Sequence, residues 1–462
     1  MELDAAKSHE EISPRATVDV GRVLEERPWG SYQTFVIFLT ALTVIIDGAD
    51  GQLLGIAIPA IAVEWEIARG AFAPTLALGF VGMMIGGAVA GMVGDRYGRR
   101  FALVCSVLIF SAATIATAGA NGLLVLGTLR FLAGFGLQGA VTNAAALISE
   151  YAPLRYRAFA VTLAIVCFPL GAALAGLVAI PVLPTLGWRA LFVLGGVVPI
   201  GLALTLARYL PESPRFLARQ PARRPELVRV LGRLGYQAAP DAVLEDSKES
   251  VSARAPWVAI LNPGSPLDTI GLWSASFFCM LAVYSGFNWI PSLLTGAGLP
   301  STVASMGVTF FNLGGVVGAL TGGAAISRLG SKPTMLTMAA GAMTAALVLR
   351  AMTFSAEVPT LPILLMLGVT GALINAIQVT MYALAAHVYP TTVRATGVGT
   401  ALGVGRLGAI LSTYAGAWAL ESGGTVSFFT LVAGAMLAVV ISLSLVRRHI
   451  PSPTAVPRAA TA

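Results

Sequence analysis

Four ionisable side chains stand where few are tolerated. Asp47 and Asp50 are the acids of an apolar run over 33–58, and Arg130 and Arg406 are the lone charges of runs over 122–149 and 397–418. Asp47 and Asp50 are three residues apart, so on a helix they share a face and their charges repel. Two close carboxylates in a poorly hydrated site do not both stay ionised without cost, which suits taking up and releasing a proton. The competing reading is that one Asp caps a helix broken at Gly48 or Gly51. Arg406, between Gly405 and Gly408, has room for its planar fork to meet a carboxylate in bidentate fashion. A permanent salt bridge with an Asp is the alternative, since buried ions need partners. Arg130 opens a series of small residues, Gly134, Gly136 and Gly139, that permits close helix contact. A structural ion pair is one reading of it, since a buried ion needs a partner.

The elements that must position these groups follow from composition. Of 462 residues, 56% are hydrophobic and 11% charged, against roughly 25% charged in soluble domains. A hydrocarbon core of about 30 Å takes about 20 apolar residues. About twelve such runs are read, at 33–58, 73–94, 101–120, 122–149, 158–182, 189–208, 268–293, 302–327, 333–352, 359–385, 397–418 and 425–446. The expected fold is therefore all-α and membrane-embedded. A charge at mid-bilayer costs about 2.5–3.5 kcal/mol on insertion scales, so the four groups above are expected to line a cavity or to pair.

The basic residues fall between alternate runs: Arg96, Arg99 and Arg100 after the second, Arg155 and Arg157 after the fourth, Arg328 and Lys332 after the eighth, Arg394 after the tenth, Arg447 and Arg448 after the last. That alternation marks a cytoplasmic side and places both termini there. It also accounts for the net charge of +7 without nucleic acid. The segment 1–32 is too polar for a signal peptide. Cys105, Cys167 and Cys279 sit singly in apolar runs, without metal-ligand spacing, and are read as packing residues.

The chain divides into a polar segment 1–32, a bundle 33–210, a linker 211–266, a bundle 267–446 and a tail 447–462. Within the linker, Glu226 to Leu234 has helical apolar spacing and is expected to lie on the inner membrane surface. The two bundles repeat each other. Gly91, Arg96, Gly98 and Arg100 recur in register as Gly323, Arg328, Gly330 and Lys332, and Pro153, Arg157 and Ala158 as Pro390, Arg394 and Ala395. Two six-helix pseudo-symmetric bundles facing one another are the parallel-repeat arrangement of alternating-access carriers, with the solute between them near midplane. No Walker loop, nucleophile elbow or metal-ligand cluster is found, which speaks against an enzyme and against ATP-driven transport.

The segment Gly91 to Arg100 resembles the loop between helices two and three of the major facilitator superfamily. Arg130-Phe-Leu-Ala-Gly-Phe-Gly-Leu-Gln-Gly139 resembles the Arg/Gly motif of its fourth helix, and Pro211-Glu-Ser-Pro-Arg-Phe-Leu217 the segment after its sixth. Asp47-Gly-Ala-Asp50, Ser149-Glu-Tyr-Ala-Pro153 and Gly403-Val-Gly-Arg-Leu-Gly408 resemble the aromatic acid:proton symporters, with departures at Ala49, Gln138, Ser327 and His387.

The resemblance implies a monomeric carrier in a bacterial inner membrane that imports a benzoate-like or hydroxybenzoate-like acid with protons and no other cofactor. Asp47, Asp50 and Arg130 would couple protons, and Arg406 would bind the carboxylate. A cytoplasmic gate would be built from Asp95, Arg96, Arg99, Glu150, Arg157 and Arg394. His387 stands where the first half has Glu150, either a pH-sensitive part of the gate or a plain surface histidine. For an aromatic ring, Tyr284, Asn288, Trp289, Phe311, Asn312, Asn375, Gln378 and Tyr382 offer stacking and amide contacts. The expected substrate contacts among the polar and aromatic residues are Asn143, Asn288, Trp289 and Tyr382. The rival readings are a carrier for nicotinate, a dicarboxylate or a sugar, and a membrane receptor that binds such acids without moving them.

Overall fold

The computed structural model describes residues 17–237, 239, 243–246, 266–355, 357–389 and 394–452, apart from the side chains of 158, 162, 394 and 395. In chain order its α-helices are α1 (Val20–Glu26), α2 (Ser31–Glu64), α3 (Ala73–Tyr97), α4 (Arg99–Thr117), α5 (Leu123–Tyr151), α6 (Leu154–Tyr209), α7 (Pro214–Ala218), α8 (Arg224–Arg233), α9 (Pro266–Gly296), α10 (Ser301–Leu329), α11 (Ser331–Ala351), α12 (Thr360–Val388) and α13 (Arg394–Leu445).

Ten of these are long and apolar enough to cross a membrane, and two of the ten cross twice. Helix α6 has 56 residues, about 84 Å if straight and far more than one hydrocarbon core. It breaks at Gly187, whose φ of 75° and ψ of 178° leave the helical region. Gly171 and Gly195 lie about 36 Å apart along a straight helix, yet they pack beside Ile45 and Leu53, which are about 12 Å apart on α2. The chain therefore turns back on itself. Helix α13, 52 residues long, breaks likewise at Gly423 and Gly424. Twelve spans result, as expected from the apolar runs.

Close packing without side chains holds each half together. A Cβ on Gly82 or Gly86 of α3 would overlap the carbonyl of Phe131 or Phe135 on α5, and one on Gly134 would overlap that of Gly79. The second half repeats this between α10 and α12, where Gly314, Gly318 and Gly371 press on the backbone of Gly368, Ala372 and Phe311. Gly98 and Gly330, equivalent in the two repeats, both take positive φ, 110° and 82°, and open α4 and α11. Each turn is tied to the stretch that follows its half's last span. The Arg100 amide donates to Glu212 Oε1 at 3.0 Å, and the Ser331 amide to the Ile450 carbonyl at 2.9 Å.

The described part of the amino-terminal segment pairs with the linker. A strand β1 (Thr17–Asp19) pairs in parallel with β2 (Val243–Glu245) from the linker. Helix α1 follows it, and its Glu25 reaches both Arg157 and Arg215 at 3.2 Å. The expected amphipathic helix forms as α8, but its apolar face is turned to protein rather than to lipid. Leu227, Val230 and Leu231 are buried in a cluster with Leu206, Leu210 and Leu217, so the apolar face is removed from water by protein packing.

Candidate functional site

On α2, Asp50 is 1% exposed, and its described polar partners come from its own half. It accepts a hydrogen bond from Thr114 Oγ1 at 2.5 Å and pairs with Arg130 Nη1 at 3.4 Å. Arg130 Nη2 also donates to Thr114 at 3.2 Å and Thr117 at 3.1 Å, and its guanidinium lies 5.2 Å from the Phe192 ring centroid. Thr114 and Thr117 are three apart, so one face of α4 supplies both hydroxyls. Arg130 Nε has no partner among the described residues. Asp50 and Arg130 line a small cavity of about 50 Å³ together with Thr75, Phe80, Phe287 and Asn288.

Asp47, one turn earlier, opens instead into a second cavity of about 160 Å³ between the halves. From the first half come Asp47, Met83, Gln138, Ile165 and Phe168; from the second come Tyr284, Asn375, Gln378, Tyr382 and Arg406. Met83, Phe168 and Tyr284 line both cavities. The floor is aromatic and spans the halves: Phe168 stacks on Phe287 at 5.6 Å, and Phe80 meets Tyr284 edge-on at 4.8 Å.

Arg406 reaches across this cavity. Its Nη2 donates to Gln138 Oε1 at 2.5 Å, while Nη1 lies 3.4 Å from the Tyr284 hydroxyl and 3.6 Å from Met83 Sδ. It makes no ion pair among the described residues. A guanidinium with no carboxylate at ion-pair distance among the described residues, in a mostly apolar chamber it shares with Asp47, is a ready site for an organic anion.

Beyond the floor the halves are sealed. Gln52 Nε2 donates to the Phe287 carbonyl at 2.6 Å, and Asn312 Nδ2 to Gln52 Oε1 at 3.3 Å. Arg69 Nη1 donates to the Ser292 carbonyl at 2.7 Å. The described hydrogen bonds between the halves lie at the level of Arg406 or farther from the linker. The cavity is thus closed at the end beyond its floor.

The sequence profile of the Major Facilitator Superfamily matches residues 40–377 and 272–461. The chain belongs to that superfamily. It is 34% identical to the 4-hydroxybenzoate transporter PcaK of Pseudomonas putida over 88% of this chain and 90% of that one. It is 33% identical to a gallate transporter of the same organism over 90% and 92%. Among solved structures, the inward-open xylose transporter XylE of E. coli superposes with a TM-score of 0.71 at 17% identity, covering 90% of this chain and 97% of that one. That likeness concerns the fold alone.

Within this superfamily fold the expected site residues fall into groups. Asp47, Tyr382 and Arg406 share the larger cavity, and Asp50, Arg130 and Asn288 the smaller. Asn288 Nδ2 is buried there without a partner among the described residues. Asn143 departs from expectation. It is 0% exposed, and its Nδ2 donates to the Ala90 and Gly139 carbonyls at 3.0 and 2.9 Å. It joins α3 to α5 and lines neither cavity, because its position on α5 turns it toward the neighbouring helix. Trp289 is also off the cavities, packed beside Gly416.

The expected gate residues cluster at the linker end. Asp95 bonds to Arg99, whose Nε is 3.7 Å from Glu150, and Glu150 bonds to the Ser213 hydroxyl. Arg157 pairs with Glu25, and Arg96 lies over Tyr97. The Arg394 side chain lies outside the described residues. Glu212, in the stretch after α6, completes the cluster. Burial pushes its carboxyl up, opposed by the backbone amides of Arg100 and Ser213. Sequence reasoning missed Thr114, Thr117 and Gln52 as partners. The three-residue spacing of two hydroxyls in an apolar run was the signal for the first two.

Proposed function

We propose that this carrier imports a small aromatic carboxylic acid together with protons, by alternating access, as a monomer in a bacterial inner membrane with its termini and linker in the cytoplasm. The observation that carries the reading is Arg406, an ion-pair-free guanidinium facing Asp47 across an aromatic-floored cavity between the halves. The substrate class follows the named activities of the relatives. In this reading Arg406 neutralises the carboxylate while the ring lies against Phe168 and Tyr284. A proton on Asp50 releases Arg130 to Thr114 and Thr117, and Asp47 takes a second charge state beside the substrate. Neutralised together, the loads let the halves roll, since each uncompensated charge would resist passage through the closed state.

The test is uptake of labelled 4-hydroxybenzoate into cells expressing wild type or Arg406→Gln, with and without a protonophore. Benzoate, gallate, protocatechuate, a phenylpropanoid, muconate and nicotinate serve as competitors. Accumulation that is lost in the variant and in uncoupled cells supports the reading. Wild-type protein in the membrane with no uptake and no competition by any of these acids overturns the substrate class. Uptake indifferent to the protonophore overturns the coupling.

A further inference from the structure

We propose that Gln138 is a latch that substrate displaces: its side-chain carbonyl occupies the Arg406 fork in the empty carrier, standing in for a carboxylate oxygen, and gives it up when the acid binds. The inference rests on the reading of Arg406 as the carboxylate site and names a residue that competes for it.

Three observations carry it. The bond from Arg406 Nη2 to Gln138 Oε1, at 2.5 Å, is the shortest that Arg406 makes, so the amide holds the guanidinium in place. It joins α5 of the first half to α13 of the second. The other hydrogen bonds described between the halves lie at the sealed end, apart from the long contact of Arg406 with Met83. Gln138 therefore makes the inter-half bond that a solute in the cavity can reach. Room for this reach is built in, because a Cβ on Gly87 of α3 would stand 2.8 Å from Gln138 Cγ. Only a bare backbone there lets the long side chain lie along α3 and point at Arg406.

The exchange is favourable for chemical reasons. An amide oxygen is a single neutral acceptor, and a carboxylate offers two charged oxygens matched to the fork in bidentate fashion. Substrate thus replaces an internal inter-half bond by its own, and occupancy of the cavity is felt directly at the contact between the halves.

Binding of labelled 4-hydroxybenzoate, gallate and benzoate to purified full-length protein tests this, with Gln138→Ala, Gln138→Asn and Gln138→Glu beside wild type. Removing the competitor in Gln138→Ala, or withdrawing it by one methylene in Gln138→Asn, is expected to lower Kd about tenfold, the scale of one hydrogen bond to a charged group. Gln138→Glu supplies a carboxylate that cannot leave, and is expected to abolish binding while the protein stays monodisperse. Weaker binding in both Gln138→Ala and Gln138→Asn would make Gln138 an ordinary substrate contact, and unchanged Kd would make it a bystander. Either overturns the latch. Failure of wild type to bind any of the three acids would instead sink the reading of Arg406, and the latch with it.

Discussion

The Asp50–Arg130 pair separates a structural role from a transport role, and replacing the two residues one at a time and then together tells which it has. The carboxylate is 1% and the guanidinium side chain 7% exposed, 3.4 Å apart. At an effective dielectric of 20 their attraction is about 5 kcal/mol, before the cost of bringing both out of water. Asp50→Asn leaves Arg130 charged and buried, with only Thr114, Thr117 and the Phe192 ring to compensate. The expected loss is about 3–5 kcal/mol, the range for breaking a buried pair from one side. Asp50→Leu with Arg130→Met removes both charges and is expected to recover most of that stability, since apolar replacements of buried pairs are often neutral or better. Thermal unfolding in detergent follows the first quantity, and protonophore-sensitive accumulation of 4-hydroxybenzoate follows the second. The reasoning requires the double variant to be stable yet unable to accumulate substrate. A double variant that still accumulates substrate with wild-type sensitivity to the protonophore would reduce the pair to a packing device.

Other outcomes follow from the geometry. Gln52→Leu removes the amide that bonds both Phe287 and Asn312; at about 0.5–1.5 kcal/mol for each of the two hydrogen bonds it should speed labelling of Leu293→Cys by an impermeant maleimide from outside by roughly fivefold or more. An unchanged rate would mean the seal lies elsewhere. Gly48→Ala drives a methyl group into the Phe168 carbonyl and should destabilise the α2–α6 contact by more than about 2 kcal/mol, read as loss of the monodisperse peak on gel filtration. Glu25→Ala frees Arg157 and Arg215 from their bridge; at about 1 kcal/mol or less per partly exposed pair, transport should persist while trypsin cleaves faster after Arg27.

The twelve spans were legible because apolar length is a strong signal, and even the breaks at Gly187 and Gly423 fall in the gaps read between runs. The paired glycine turns at Gly98 and Gly330 could be read from the repeat as well. Helix rotation could not. Asn143 and Gln138 stand five residues apart on α5 in equally apolar surroundings, yet one faces α3 and the other the cavity. Only the packing of the whole half decides which. The clasp of β1 with β2 escaped notice for another reason: a three-residue strand has no periodicity to detect, and its partner lies more than 200 positions along the chain. Likewise α8 advertises an apolar face, but nothing in its spacing distinguishes a protein neighbour from a lipid one.

The glycine contacts of α5 divide that helix between two evolutionary regimes. Gly134, Gly136 and Gly139 admit no added carbon, because backbone or small side chains of α3 and α4 already fill the space. Gln138, one position away from Gly139, projects into open volume and is bound by one hydrogen bond. Positions where change would break the bundle thus interleave along the helix with the position where it would retune what the cavity accepts. A single substitution at Gln138 can therefore alter what the cavity accepts, while an added carbon at the glycines beside it disturbs the frame that moves.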